Sequence, residues 1–316
     1  MKRILITILL LASAFSASAQ LKKLTFYPHW TPQSQFAGFY MALEKGFFEE
    51  EGLDVTIKHV GLNSTESVQD KLYSGEAQIV GMQLMQGIVA RSDGRKIVNV
   101  MQLTQQSGLM CVSHGPLNAP GDLDGKKVGR WKVGYADFCE MMQYYNEVQI
   151  DWIPFINGIN LFVFGAVDAT LCYSYSEFVL LKLAMGEISP DNCIRFSDFG
   201  YECPEDGLYV MENYYDKNKD VVDAFTRAAR RGWDYVRGHK EEAVELSLRW
   251  CQDNHVTTNP AHQSMMLDEY LSLQVNPATG QPDYARVSED IFSKVASSLL
   301  MVGYITRQPD YKEVIR

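Results

Sequence analysis

Apolar positions along this chain fall into short runs whose period keeps switching. Residues 24–27 read as a short strand, and the loop over 28–35 that follows holds Pro28 and Pro32. Phe36, Phe39, Tyr40, Leu43 and Phe47 then recur at helical spacing, and Gly46 supplies a stop. Gly52 turns the chain, and Val55, Ile57 and His59 alternate as a second strand. Strand, helix and strand in this order make a parallel crossover unit. The alternation continues. Asn63 is expected to cap a helix, with Glu66 three residues on as a capping box, and that helix ends near Gly75. Strands over 78–82 and 97–103 enclose a helix over 85–93. Together these elements predict one α/β lobe.

A second α/β lobe starts after 111–114. It holds a turn at 122–125, strands over 127–131, 149–155 and 168–173, and helices over 137–147, before Gly165, and over 176–186. After 207–210 the alternation stops, and 219–253, 261–275 and 284–302 read as mostly helical. These segments lack the strands for a third sheet. The expected architecture is therefore two α/β lobes, with 20–111 and 208–316 forming lobe 1 and 112–207 forming lobe 2. Two crossings, near 111–114 and 205–211, make a two-stranded hinge, and the C-terminal helices pack on lobe 1. A length of 316 residues agrees with two lobes rather than one core.

The first 19 residues stand apart from this pattern. Lys2 and Arg3 precede an apolar run over 4–11 that is too short to span a bilayer, and Ala17-Ser18-Ala19 forms a cleavage site before Gln20. We expect a cleavable signal peptide over 1–19, no lipid anchor, no stable membrane insertion and a periplasmic location. The net charge of −10 argues against nucleic acid and anionic membranes as partners. The six cysteines are irregularly spaced without a CxxC, so no zinc or other metal site is expected. Cys193 and Cys203 flank one loop and are the best candidates for a disulfide, with free thiols an equal alternative.

Ligands of open α/β sheets bind outside the C-terminal ends of the strands. With two lobes facing across a hinge, the loops that follow each strand line the cleft. They offer Trp30, Trp131, Tyr135 and Tyr175 as flat faces, and Gln33, Gln35, Asn63, Gln83 and Gln86 as neutral hydrogen-bonding groups. Gln105 and Gln106 belong to the same set of loops. Charges are few, chiefly Lys132, Asp137 and Glu177. Aromatic plates with amides suit a neutral or weakly cationic planar ring. An anion site would want Arg or several free helix N-terminal N–H groups. Each residue also has a plain structural reading: Trp30 and Trp131 as packing, Glu177 as an acid stabilised by its helix dipole. The candidate ligand-binding set is Trp30, Gln33, Gln35, Asn63, Gln83, Gln86, Trp131, Tyr135, Tyr175 and Glu177.

Several motifs carry a family resemblance. Trp30-x-Pro32, the run 36–40 (Phe-Ala-Gly-Phe-Tyr), Lys45-Gly46-Phe47-Phe48 and Gly52-Leu53-Asp54-Val55 resemble the opening of the NMT1/THI5-like proteins, a branch of the type II periplasmic substrate-binding proteins. Asp122-Leu123-x-Gly125-Lys126-x-Val128-Gly129 and Gly165-x-Val167-Asp168-Ala169 match as well, so the resemblance covers about residues 24–235. It implies a monomeric two-lobe binding protein that feeds an ABC importer and needs no cofactor. Relatives of this kind carry a thiamin-precursor aminopyrimidine, flavins or aliphatic sulfonates. The pyrimidine branch shows Tyr-Asn-Glu where this chain has Tyr175-Ser176-Glu177, so tyrosine and carboxylate persist and the amide is lost.

The family also contains an enzyme that makes the thiamin pyrimidine from pyridoxal phosphate and its own histidine. It needs a Lys and, four residues later, a His. Met82 and Gln86 stand in those places here, and no Schiff base forms without an amine. An unrelated enzyme could draw on Glu177, His29 and Cys172 as acid, base and nucleophile, but no nucleophile motif surrounds them. The expected function is non-catalytic capture of a small heteroaromatic solute in the inter-lobe cleft, with sulfonate or flavin capture as alternatives. Delivery to a permease and delivery to a membrane sensor both fit.

Overall fold

The computed structural model describes residues 20–61, 64, 66–132, 134, 136–284 and 286–316. The leader expected over 1–19 lies outside the described residues. Two five-stranded sheets organise the chain, as the alternation predicts. The first has the order β2-β1-β3-β10-β4, with β1 Lys22–Tyr27, β2 Leu53–Ile57, β3 Ile79–Met82, β4 Ile97–Gln102 and β10 Gly207–Met211. The second has the order β7-β6-β8-β5-β9, with β5 Leu109–Ser113, β6 Lys127–Trp131, β7 Asp151–Phe155, β8 Ala169–Tyr173 and β9 Cys193–Arg195.

Within the first sheet β1 pairs in parallel with β2 and β3, Phe26 facing Ile57 on one side and Ile79 on the other. The edge strand β2 alternates Leu53, Val55 and Ile57 inward with polar residues outward, while the central β3 is buried throughout. β10 enters antiparallel between β3 and β4. In the second sheet β6 is parallel to β7 and β8, and β5 runs antiparallel to both β8 and β9.

The chain passes between the sheets twice, at 103–108 and again between β9 and β10. The first passage lies ahead of the expected 111–114, because β5 is wholly in the second sheet and the polar run Gln105-Gln106-Ser107 is the connector. Cys193 and Cys203 are free thiols; Cys193 Sγ lies 3.4 Å from the Ser189 carbonyl, to which it donates. The helix Val68–Tyr73 starts later than expected. Its cap is Ser67, whose hydroxyl receives the Asp70 N–H while Asp70 takes the Ser67 N–H at 2.8 Å. Glu66 pairs with Lys71 instead, and Asn63 lies outside the described residues.

The C-terminal helices Lys219–Gly238, Lys240–Asp253 and Pro260–Leu273 cover the first lobe. Lys219–Gly238 lays Val222, Phe225, Ala229, Trp233 and Val236 on the Ala37–Glu44 helix, a stripe at 3.6-residue spacing. Pro260–Leu273 and the later helix Glu289–Met301 also reach across. Pro260–Leu273 touches the Glu177–Met185 helix of the second lobe, and Glu289–Met301 touches both Leu84–Ser92 and Ala136–Asn146.

Candidate functional site

The C-terminal ends of the parallel strands of both sheets face each other across a cavity of about 740 Å³. Eight of the ten candidate residues line it: Trp30, Gln33, Gln35, Gln83, Gln86, Trp131, Tyr175 and Glu177. Asn63 and Tyr135 lie outside the described residues. Gln105 and Gln106 do not line the cavity; their amides donate to the Asp283 and Val275 carbonyls and tie the first passage to the C-terminal segment.

The loop after β1 is held from beneath by His59. Its Nδ1 lies 2.5 Å from the Trp30 carbonyl and its Nε2 2.9 Å from the Tyr40 hydroxyl. Both contacts are made when Nδ1 carries the proton and Nε2 accepts from Tyr40. Burial lowers the His59 pKa to about 4, so the ring stays neutral and this tautomer persists at neutral pH. Past Trp30 the chain makes a single 3-10 turn, Ser34–Phe36, which turns Gln35 inward. Gln33 donates to Gln35, and Gln35 Nε2 donates to Tyr175 OH at 3.1 Å and to Asp206 Oδ2 at 2.7 Å. Asp206 also accepts from Tyr270 OH at 2.7 Å. His29 Nδ1 comes within 2.8 Å of Asp206 Oδ1 but is not aligned as a donor to it.

Gln83 precedes the Leu84–Ser92 helix and meets the other lobe directly, its Nε2 donating to Tyr173 OH at 3.0 Å. Gln86 sits against Gly134, whose φ of +89° only glycine adopts freely. On the second lobe the rings form a wall. Trp131 ends β6 and meets Tyr173 with centroids 5.3 Å apart, and Tyr173 stacks on Tyr175 at 5.1 Å and 18°. Glu177 is the brace behind this wall. It opens its helix, is buried, and accepts from Trp131 Nε1 and from Tyr173 N–H, both at 3.2 Å. Burial raises its pKa. Its carboxylate thus serves both readings of the sequence, as a helix N-terminal acid and as a residue of the cavity wall.

Several lining residues escape sequence reasoning. His29 precedes Trp30 and enters the sequence reading only as a possible base, and Tyr173 lies two residues before Tyr175. Asp137 enters it only as a charge; burial raises its pKa to about 6. Tyr304 arrives from the C-terminal segment and has no local signal. Cys172 does not line the cavity. It is fully buried in β8, and burial pushes its thiol well above the usual range, the environment of an inert cysteine. Among the described residues no lysine lines the cavity and no cluster of His, Cys, Asp and Glu could hold a metal.

A family model described as NMT1/THI5 like matches residues 33–243. The chain belongs to this family. Among curated relatives of this NMT1/THI5-like protein, the formylaminopyrimidine-binding protein of Halalkalibacterium halodurans is 29% identical over 78% of this chain and 79% of its own. The riboflavin-binding protein RibY of Chloroflexus aurantiacus is 23% identical over 96% of this chain and 87% of its own. A 4-amino-5-hydroxymethyl-2-methylpyrimidine phosphate synthase of Aspergillus parasiticus is 23% identical over 71% and 69%. The fold is that of the periplasmic binding proteins. The aliphatic sulphonate binding protein SsuA of Escherichia coli superposes with a TM-score of 0.66 at 12% identity, covering 92% of this chain and 96% of that one. No helix among the described residues of the NMT1/THI5-like chain is long and apolar enough to cross a membrane.

Proposed function

We propose that the chain is a periplasmic solute-binding protein that captures a small, flat heteroaromatic solute between its lobes, acts as a monomer and hands its cargo to an ABC importer. The observation that carries this reading is the cavity wall itself. The Trp131, Tyr173 and Tyr175 rings stand beside the amides of Gln33, Gln35, Gln83 and Gln86, and among the described residues no Lys lines the space. Aromatic faces stack on a planar ring, and amides supply both donors and acceptors to its edge. Names of relatives that bind a formylaminopyrimidine and riboflavin support the same ligand class. The volume of about 740 Å³ also favours a second reading, a flavin-sized solute, over a bare pyrimidine.

The protein is proposed to be non-catalytic. The segment 81–87 that follows β3 contains neither amine nor imidazole, and the candidate nucleophile Cys172 is sealed inside β8.

Thermal melting in the presence of aminopyrimidines, riboflavin, pyridoxal, taurine and alkanesulfonates tests the reading. A ligand at a hundredfold excess over Kd adds about 2.7 kcal/mol, which moves Tm by several degrees in a chain of this size. Heteroaromatic compounds should give the shift. A shift produced by sulfonates alone would sink the proposal.

A further inference from the structure

Among the described residues four carboxylates line the cavity, and three of them are already committed or lie outside its buried part. Glu177 is engaged by Trp131 and the Tyr173 N–H. Glu66 pairs with Lys71. Asp93 is exposed at the end of the Leu84–Ser92 helix. Asp137 differs from all of them. It stands in the first turn of the Ala136–Asn146 helix, only 6% exposed, and Oδ1 takes the Phe138 N–H at 2.8 Å. Its own N–H also acts on the carboxyl, but no side chain among the described residues donates to Oδ2 or pairs with it, and the side chain lines the cavity.

That oxygen is not among the sealed polar atoms of the interior and stays open to the cavity. An acceptor placed there is available to a donor that arrives in the cleft. The titratable groups that act on Asp137 or feel its charge are Glu140 and Cys139 on its own helix, Cys203 from the second passage and Tyr304 from the C-terminal segment. None is a cation. Among the described residues the one guanidinium on the cavity wall is Arg95, lying over the Tyr73 ring. Leu62, Asn63, Thr65, Val133 and Tyr135 complete the neighbouring loops in sequence and carry no charge.

We propose that Asp137 is the specificity-determining residue of the cleft: its unengaged oxygen accepts from an amino or ring N–H group of the bound ring, so that the site takes donor-bearing neutral or cationic rings and turns anionic solutes away. The inference rests on the binding-protein reading above and deepens it. It also shifts recognition from Glu177, whose two oxygens are occupied within the protein, to a residue one helix away. A solute with an amine on its edge supplies the donor that Asp137 lacks. A sulfonate or phosphate would meet Asp137 in the buried part of the cavity, where no cation among the described residues faces it.

Titration calorimetry with two probes tests this: 4-amino-5-hydroxymethyl-2-methylpyrimidine, and 5-hydroxymethyl-2-methylpyrimidine, which lacks the amine. Asp137→Asn keeps an oxygen for the Phe138 N–H and replaces the other by a donor. The variant should lose roughly 10- to 100-fold in affinity for the amine-bearing probe, the worth of a hydrogen bond to a charged group. Its affinity for the amine-free probe should stay close to that of wild type. The ratio between the probes on one preparation is insensitive to any misfolded fraction. Unchanged affinity of Asp137→Asn for the amine-bearing probe overturns the role of Asp137 and leaves the binding-protein reading standing. Binding of butanesulfonate by wild type as tight as that of the amine-bearing probe overturns the exclusion of anions. A wild type that binds neither ring overturns the pairing of Asp137 with an amine-bearing pyrimidine, and absence of riboflavin binding as well would overturn the binding-protein reading.

Discussion

Glu177 holds two N–H donors at once, and that is possible only for a side chain with acceptors at both ends. The Trp131 indole and the Tyr173 amide each meet one of its oxygens at 3.2 Å. Glutamine matches the shape but turns an NH2 group toward one of these donors, whichever way it is flipped. Glu177→Gln is therefore expected to lower stability by roughly 1–3 kcal/mol, the cost of an unmatched buried donor. The aromatic wall should loosen with it, weakening the binding of ring compounds. Equal melting temperatures for variant and wild type would remove the bracing role. At this scale the sequence is informative where a residue stands at, or within three positions of, the C-terminal end of a strand. Trp30, Gln83, Trp131 and Tyr175 reach the cavity for that reason. Asp206 and Tyr304 meet the site only through tertiary folding. Asp206 comes from the return passage and contacts Gln35, 171 residues earlier, and no local spacing encodes that meeting.

Helix and strand identity is legible wherever one face is buried and the other wet. β2 alternates cleanly, and the Lys219–Gly238 helix carries an apolar stripe among charges. The signal fails where an element is buried all round or very short. All five residues of β5 are buried, so nothing in its period marks the start, and the pattern places the first passage several residues too late. β9 has three residues and no pattern to read. What the apolar stripe cannot reveal is how near two helices come. Lys219–Gly238 crosses Ala37–Glu44 at a point where both have glycine. A Cβ on Gly232 would lie 2.0 Å from the Gly38 carbonyl oxygen, and one on Gly38 would lie 2.2 Å from the Trp233 ring. Backbone cannot yield as a side-chain tip can. Gly232→Ala must push the helices apart, with an expected cost of about 2–3 kcal/mol or more despite the higher helix propensity of alanine. Urea unfolding measures it directly, and a variant as stable as wild type would show that the crossing is looser than this geometry.

At the scale of the whole molecule, the lobes are joined by two passages and by direct contacts over the cleft. Gln35 and Gln83 reach Tyr175 and Tyr173, and Tyr145 OH donates to Met301 Sδ at 3.3 Å on the exposed surface. The surface pair Arg195–Glu269 also spans the lobes, but a partly exposed pair of this kind is worth at most about 1 kcal/mol. The passages themselves are tied by Glu205. Its carboxyl receives Ser107 Oγ–H at 2.7 Å and Gly108 N–H at 3.2 Å, and its carbonyl receives the Thr104 hydroxyl at 2.6 Å. Burial pushes the Glu205 pKa up from 4.5 to about 8, so the group is a neutral acid at pH 7. The folded state then holds a proton that the unfolded chain has released, and stability falls as pH rises between those two values. The slope is about 1.4 kcal/mol per pH unit for one group. Asp137, raised to about 6, adds the same sign only below that pH, whereas His59, lowered to about 4, acts oppositely below its ordinary 6.5. The interval from pH 6.5 to 8 therefore isolates Glu205 from both. Over it, wild type should lose about 2 kcal/mol in denaturant unfolding. Glu205→Gln keeps an oxygen for Ser107 and Gly108 and cannot ionise, so its stability should be flat across the same interval. Parallel pH profiles for the two proteins would mean that Glu205 is ionised at neutral pH and that the two passages are joined through a buried charge.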